Sequence, residues 1–233
     1  MSKIYSKDEL LVELSSVLEK GIDDLYNSNI INWKGCIKDS SVPYSEKIIE
    51  ELYATNIIEH CAINGINEQS RKKSYYTETH QELVKVRNTG SDQQEKNYVK
   101  DLFISNPFGI ELGVPIDFEI PLKDCMEDSA GKIDLITFNE KTSELFLVEV
   151  KADGSKETAL RCCLEIQTYL QKLDVLKFVE DFYNANKLPT KDFKIKLAVI
   201  VFENSVPANE FKDETRVNLQ KLVKDFDIKV CYA

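Results

Sequence analysis

The sequence predicts an α/β fold: a mixed β-sheet flanked by helices over residues 91–233, preceded by a mainly helical extension over residues 1–90. Three observations carry this expectation. Residues 133–138 and 145–150 are strand-like apolar runs joined by a short polar turn. The run FKIKLAVIVF, residues 193–202, begins alternating and becomes wholly apolar, as a central strand covered on both faces would. From Ser91 the elements follow the order α-β-β-β-α-β-α-β, which lets helices pack on the faces of a sheet.

Composition narrows the class. The chain has 233 residues, 42% hydrophobic and 30% charged, enough apolar material for one sizeable core. No apolar run approaches the roughly 20 residues of a membrane-spanning helix, so no membrane partner is expected. The opening MSKIYSKDELL lacks the apolar stretch of an export signal, and a cytoplasmic location is the expectation. Six cysteines, at positions 36, 61, 125, 162, 163 and 231, show no C-x-x-C spacing and read as reduced thiols. The net charge of −10 argues against a protein that coats nucleic acid non-specifically, since such binding needs Lys and Arg on phosphates. It leaves room for a local basic groove, or for an acidic centre offset by metal ions.

Along the first ninety residues, Leu10, Leu11, Leu14 and Leu18 recur at helical spacing over residues 7–20, with Gly21 as a stop. A second helix is expected over residues 45–62, its glutamates Glu46, Glu50, Glu51 and Glu59 forming a solvated face. Arg71, Lys72 and Lys73 precede Tyr75 and Tyr76. Basic residues beside aromatics can grip phosphate and stack on bases, but a surface loop is the simpler reading. His60 and His80 are the only histidines, and neither has the neighbours of a metal ligand.

The later elements are more legible. Ser91 or Asp92 can cap a helix through QQEKNYVKDLFIS, ended by Asn106-Pro107, with Glu95 bordering its apolar side of Tyr98, Leu102 and Phe103. Residues 114–122 alternate as a strand. After the paired strands, residues 156–180 read as one long helix, on which Arg161, Glu165 and Tyr169 are spaced by four and share a stripe. Residues 209–225 read as another helix and 228–232 as a last strand.

The paired strands carry the chemistry. Asp134, Glu149 and Lys151 interrupt otherwise apolar runs, and charges inside buried strands cost several kcal/mol unless each finds a partner or a metal. Glu149 and Lys151 are two apart and share one face. Pairing Phe138 with Leu145 brings Asp134 opposite Glu149, so two carboxylates and an ammonium converge.

With IDLI around Asp134 and VEVKA around Glu149 and Lys151, the segment resembles the PD-(D/E)xK nuclease superfamily. The likeness extends upstream to Glu95, where many members place a helical glutamate. Downstream, ALRCCLEIQTYLQKL looks like the Q-x-x-x-Y helix of the RecB-like and NucS-like branches. Two departures stand out. Ile133 replaces the usual proline before the aspartate, as is common in the NucS-like branch. Glu165 occupies the glutamine position, with Gln167 half a turn away.

The resemblance implies a restriction endonuclease-like αβββαβ core and a phosphodiester hydrolase acting on nucleic acid, DNA before RNA, in restriction, repair or defence. A homodimer would be one way to cut both strands. It implies Mg²⁺, with Mn²⁺ as substitute, held by Asp134, Glu149 and the Val150 carbonyl, and Glu95 on a second ion directly or through water. Lys151 would orient or deprotonate the attacking water, or stabilise developing negative charge. The orienting and electrostatic role is favoured, because neighbouring carboxylates raise a lysine pKa. Arg161, Glu165, Gln167 and Tyr169 become the substrate-facing residues. The competing readings are a structural ion pair of Lys151 with Asp134 or Glu149, a catalytically inactive nucleic-acid- or protein-binding module, and an interaction protein dominated by residues 1–90.

Overall fold

The computed structural model describes residues 4–19, 22–59, 71–78, 80–86, 94–122, 124 and 131–233. Helices α1 (Lys7–Leu18), α2 (Ile22–Asn27), α3 (Tyr44–Ala54), α4 (His80–Leu83) and α5 (Gln94–Ser105) come first, with a 3₁₀ turn at Asn29–Asn32. Strands β1 (Val114–Pro121), β2 (Lys132–Asn139) and β3 (Glu144–Lys151) follow. Then come α6 (Ala159–Lys172), α7 (Val175–Asn184), β4 (Lys194–Val201), α8 (Val206–Lys212), α9 (Val217–Asp225) and β5 (Ile228–Tyr232). The α/β expectation holds.

The strands make one mixed sheet in chain order, β1-β2-β3-β4-β5. The first three are antiparallel neighbours, whereas β3–β4 and β4–β5 are parallel and joined by helical crossovers. Alternation along β3 sorts its side chains between two cores. Phe146, Val148 and Val150 join Val99 and Leu102 of α5 on one face. Leu145 and Leu147 meet Leu160 and Leu164 of α6 on the other, in a cluster that also takes in Leu10, Leu14, Ile48 and Ile49 from the N-terminal helices. Gly113 is needed where the chain turns into β1: its φ is +84°, and a Cβ there would lie 2.1 Å from the Phe138 carbonyl oxygen.

Helix boundaries depart from the periodicity in three places, each for a local reason. The single helix expected over residues 156–180 is broken at Leu173, whose ψ is 124°, because the Asp174 side chain accepts the Lys177 N–H at 3.1 Å and starts a new helix. The helix expected over residues 209–225 is likewise two. Asp213 turns extended and its side chain accepts the Thr215 N–H at 3.0 Å. The helix expected over residues 45–62 ends at Ala54, after which Asn56 sits in the left-handed region at φ +57°. Residues 60–62, the Gly21 stop, the Ser91 or Asp92 cap and His60 lie outside the described residues.

One expectation about charge is corrected and another is narrowed. Glu46 is not on a solvated face. It is buried, and its two carboxylate oxygens accept the Asn218 and Leu219 N–H groups at 2.8 and 2.9 Å. Those are orphan donors of the first turn of α9, whose own cap residue supplies no side-chain bond. The Arg71 segment is the expected surface loop, with Lys72 and Lys73 exposed, but Arg71 itself is not offered to solvent or to a phosphate. Arg71 is buried, donates to the Ser74 and Pro121 carbonyls, and stands over the buried Tyr75 ring. Asp124 binds the Lys72 and Lys73 N–H groups, closing the clasp.

Candidate active site

Phe138 pairs with Leu145 as the sequence register predicts, and the matched ladder runs to Leu135 opposite Val148. One step further the backbone pairing gives way to a side chain: the Val150 N–H donates to Asp134 Oδ2 at 2.9 Å. The N–H and C=O of one strand residue point to the same side, so the Val150 carbonyl is directed towards Asp134 as well. Asp134 and Glu149 thus meet on adjacent strands where β2 and β3 separate.

Glu149 and Lys151 share the α6-facing side of β3 and are 1% and 4% exposed. The Lys151 ammonium is the centre of the cluster. Its Nζ lies 2.5 Å from Glu149 Oε1, 2.7 Å from Glu157 Oε2 and 3.0 Å from Glu165 Oε2. Glu165 Oε1 in turn accepts the Tyr169 hydroxyl at 3.1 Å. Glu157 Oε1 is 2.9 Å from Arg161 Nε, and the Arg161 guanidinium stands 5.7 Å from the centroid of the Tyr26 ring. Glu149 Oε2 is buried and makes no hydrogen bond among the described residues.

The electrostatics follow from that arrangement. Burial, then repulsion by Glu95, hold the Asp134 carboxyl well above the usual carboxylate range, against the pull of Lys151 and the Val150 N–H. Burial, then Asp134 and Glu165, do the same to Glu149. Glu95 is raised by burial and by Glu157, Glu165 and Glu119, with Lys151 opposing. It therefore belongs to the same electrostatic cluster, although it comes from α5. Glu165 goes the other way: burial would lift it, but Lys151, Tyr26 and Arg161 pull it below its usual range. Burial would lower Lys151, yet Glu149 and Glu165 carry it well above the ordinary lysine value.

Helix α6 is held over the sheet by its N-terminus. The Thr158 hydroxyl accepts the Arg161 N–H and donates to the Ile31 carbonyl, while its own N–H donates to Asn32 Oδ1 at 2.8 Å. Glu210 of α8 accepts the Ala159 N–H at 2.7 Å. Further along, Tyr169 turns back to Glu165 one turn earlier on α6, and its ring lies against Gly131 just before β2, whose φ of +80° and missing Cβ leave it room: a Cβ would stand 2.9 Å from Tyr169 Cε1.

Of the residues picked out by sequence, Asp134, Glu149, Lys151, Glu165 and Tyr169 are brought together, and Glu95 lies within electrostatic reach. Arg161 is present but tied to Glu157 and Tyr26. Gln167 is buried, two residues past Glu165 and so about 200° round the helix from it. Sequence reasoning missed Glu157 and Tyr26. The four-residue step from Glu157 to Arg161 was a usable signal; nothing in the local pattern points to Tyr26.

The donor set suits a hard divalent cation: clustered carboxylates, two of them, Glu149 and Glu157, with a buried oxygen lacking a hydrogen bond among the described residues, and a neighbouring Cys162 thiol whose pKa burial raises, so that it stays a thiol. Among the described residues, however, no three such side chains stand already gathered as a metal cage; the Lys151 ammonium is at the point of convergence. No helix among the described residues is long and apolar enough to cross a membrane. Comparison with protein-family models, with curated proteins and with solved structures found no match.

Proposed function

We propose that this chain is a metal-dependent nuclease hydrolysing phosphodiester bonds, DNA first among its substrates, built on a restriction endonuclease-like core. The observation that carries the reading is the junction of Asp134 and Glu149 on separating neighbour strands, with Lys151 beside them and Glu95 electrostatically coupled. The order α5-β1-β2-β3-α6 supports the core assignment.

Asp134 and Glu149, with the Val150 carbonyl, would hold Mg²⁺ or Mn²⁺, whose chemistry is to polarise a phosphate oxygen and acidify water. Glu95, electrostatically coupled to the cluster, would share a water or a second ion. Lys151, kept charged by its carboxylates, serves to orient the nucleophilic water and neutralise charge developing on the phosphate, not to act as a base.

One observation favours a second reading, an inactive nuclease-fold binding module. Lys151 is neutralised by three carboxylates, and Arg161 by Glu157, without any ligand. Purified protein assayed on single-stranded, duplex and branched DNA and on RNA, with Mg²⁺ or Mn²⁺, separates the two. Metal-dependent cleavage that disappears in Asp134→Asn supports the enzyme. Binding without cleavage of any of these substrates supports the module.

A further inference from the structure

We propose that Glu157 and Glu165 form a holding site for the Lys151 ammonium, which keeps Lys151 buried and in position when a divalent cation replaces it on Glu149. The inference rests on the nuclease reading and assigns positioning roles to two residues which that reading leaves without one.

The geometry is specific. Glu157 and Glu165 each turn Oε2 to Lys151 and give Oε1 to another group, Arg161 for Glu157 and the Tyr169 hydroxyl for Glu165. Both carboxylates are therefore oriented independently of Glu149. Glu149 lacks such a second partner: Oε1 meets Lys151, and Oε2 is buried with no hydrogen bond or ion pair among the described residues, whereas Glu157 Oε2, also without a hydrogen bond, is ion-paired to Lys151 at 2.7 Å. A cation seated on Glu149 would stand against an ammonium 2.5 Å from the same carboxylate, and two positive charges so close repel strongly in a buried setting.

Lysine has three N–H donors on a flexible stem. It can release Glu149 and remain buried, because two carboxylates already touch it. Without that pair the ammonium would stay on Glu149 and oppose the cation. With it, the charge stays on Glu157 and Glu165, beside Glu149.

The test is a double-mutant cycle read by Mn²⁺ calorimetry, with no turnover required. Wild type, Glu165→Gln, Glu157→Gln, Lys151→Met and the two doubles are titrated, each checked for folding by its thermal transition. Lys151→Met should tighten Mn²⁺ binding about tenfold. Glu165→Gln and Glu157→Gln should each weaken it about tenfold when Lys151 is present and less than about threefold in the Lys151→Met background. A glutamate that merely adds negative charge would lose the same factor in both backgrounds, and that result overturns the holding site while leaving the nuclease reading intact. Binding by Lys151→Met but not by wild type would show a lysine that never yields, sinking both. No binding by any variant has the same consequence. Should Glu165→Gln fail to fold, the half-buried Glu157 provides the complete cycle alone.

Discussion

Glu46 and Glu149 are both buried carboxylates, 7% and 1% exposed, with opposite surroundings. Each oxygen of Glu46 takes a backbone N–H at the start of α9, where the helix dipole favours negative charge. Glu149 has one ammonium that it shares with two other carboxylates, a second oxygen with no hydrogen bond among the described residues, and Asp134 as a repelling neighbour. A buried glutamate that serves the fold is saturated with donors. One left undersupplied, among its own kind, is held there by the rest of the fold against its own preference. Such local conflict is what the proposed nuclease site would require of its carboxylates.

The largest effect that would break this comparison is on turnover. On the proposed nuclease reading, replacing Lys151 by alanine removes the charge beside the metal carboxylates, so single-turnover cleavage should fall by about a thousandfold or more, in kcat rather than KM. DNA affinity measured in Ca²⁺ should change only modestly, because one contact is a small part of a multi-phosphate footprint. Wild-type turnover in a folded Lys151→Ala preparation free of contaminating nuclease would remove the functional side of the contrast.

The next effect is on stability, and the two glutamates should move in opposite directions. Glu46→Ala strips two charge-assisted bonds from α9 and should destabilise the fold by about 2–4 kcal/mol in denaturant unfolding. Glu149→Gln removes a repelled buried charge while keeping shape, and should leave the metal-free protein unchanged or up to about 2 kcal/mol more stable. Equal destabilisation by the two would mean that Glu149 is an ordinary structural partner of Lys151.

How far the site was legible follows from the same physics. The meeting of Asp134, Glu149 and Lys151 could be read because strand alternation and one pairing, Phe138 with Leu145, fix every later residue's face and partner. Glu165 and Tyr169 followed from helical spacing. Glu46 was misplaced because periodicity shows that a face is polar, not whether water or another helix's N-terminus lies against it. Asp174 and Asp213 broke helices whose apolar rhythm runs on past them, since a capping bond outweighs about a turn's worth of propensity. Tyr26 could not be read at all: it reaches the cluster from α2 through tertiary packing of the N-terminal helices on α6.

The smallest expected effect is a pH dependence, and its sign sharpens the contrast. Asp134, Glu149 and Glu95 all sit above their ordinary carboxylate values, chiefly through burial and mutual repulsion. Between the ordinary values and the raised ones the folded chain holds protons that the unfolded chain has released. Stability is therefore greatest while these groups are protonated and is lost as pH rises through their folded values. Glu165, which is lowered, gives a contribution of opposite sign, present above its ordinary value and lost on acidification below it. Comparing wild type with Asp134→Asn isolates the raised group, since the amide can still accept the Val150 N–H. As pH rises above the ordinary carboxylate range, wild type should lose stability relative to Asp134→Asn in urea unfolding. Saturating Mn²⁺ should reverse the trend by favouring the ionised carboxylates. Parallel curves for the two proteins, with and without Mn²⁺, would mean that Asp134 is not held in a repelled state and would return it to the company of Glu46.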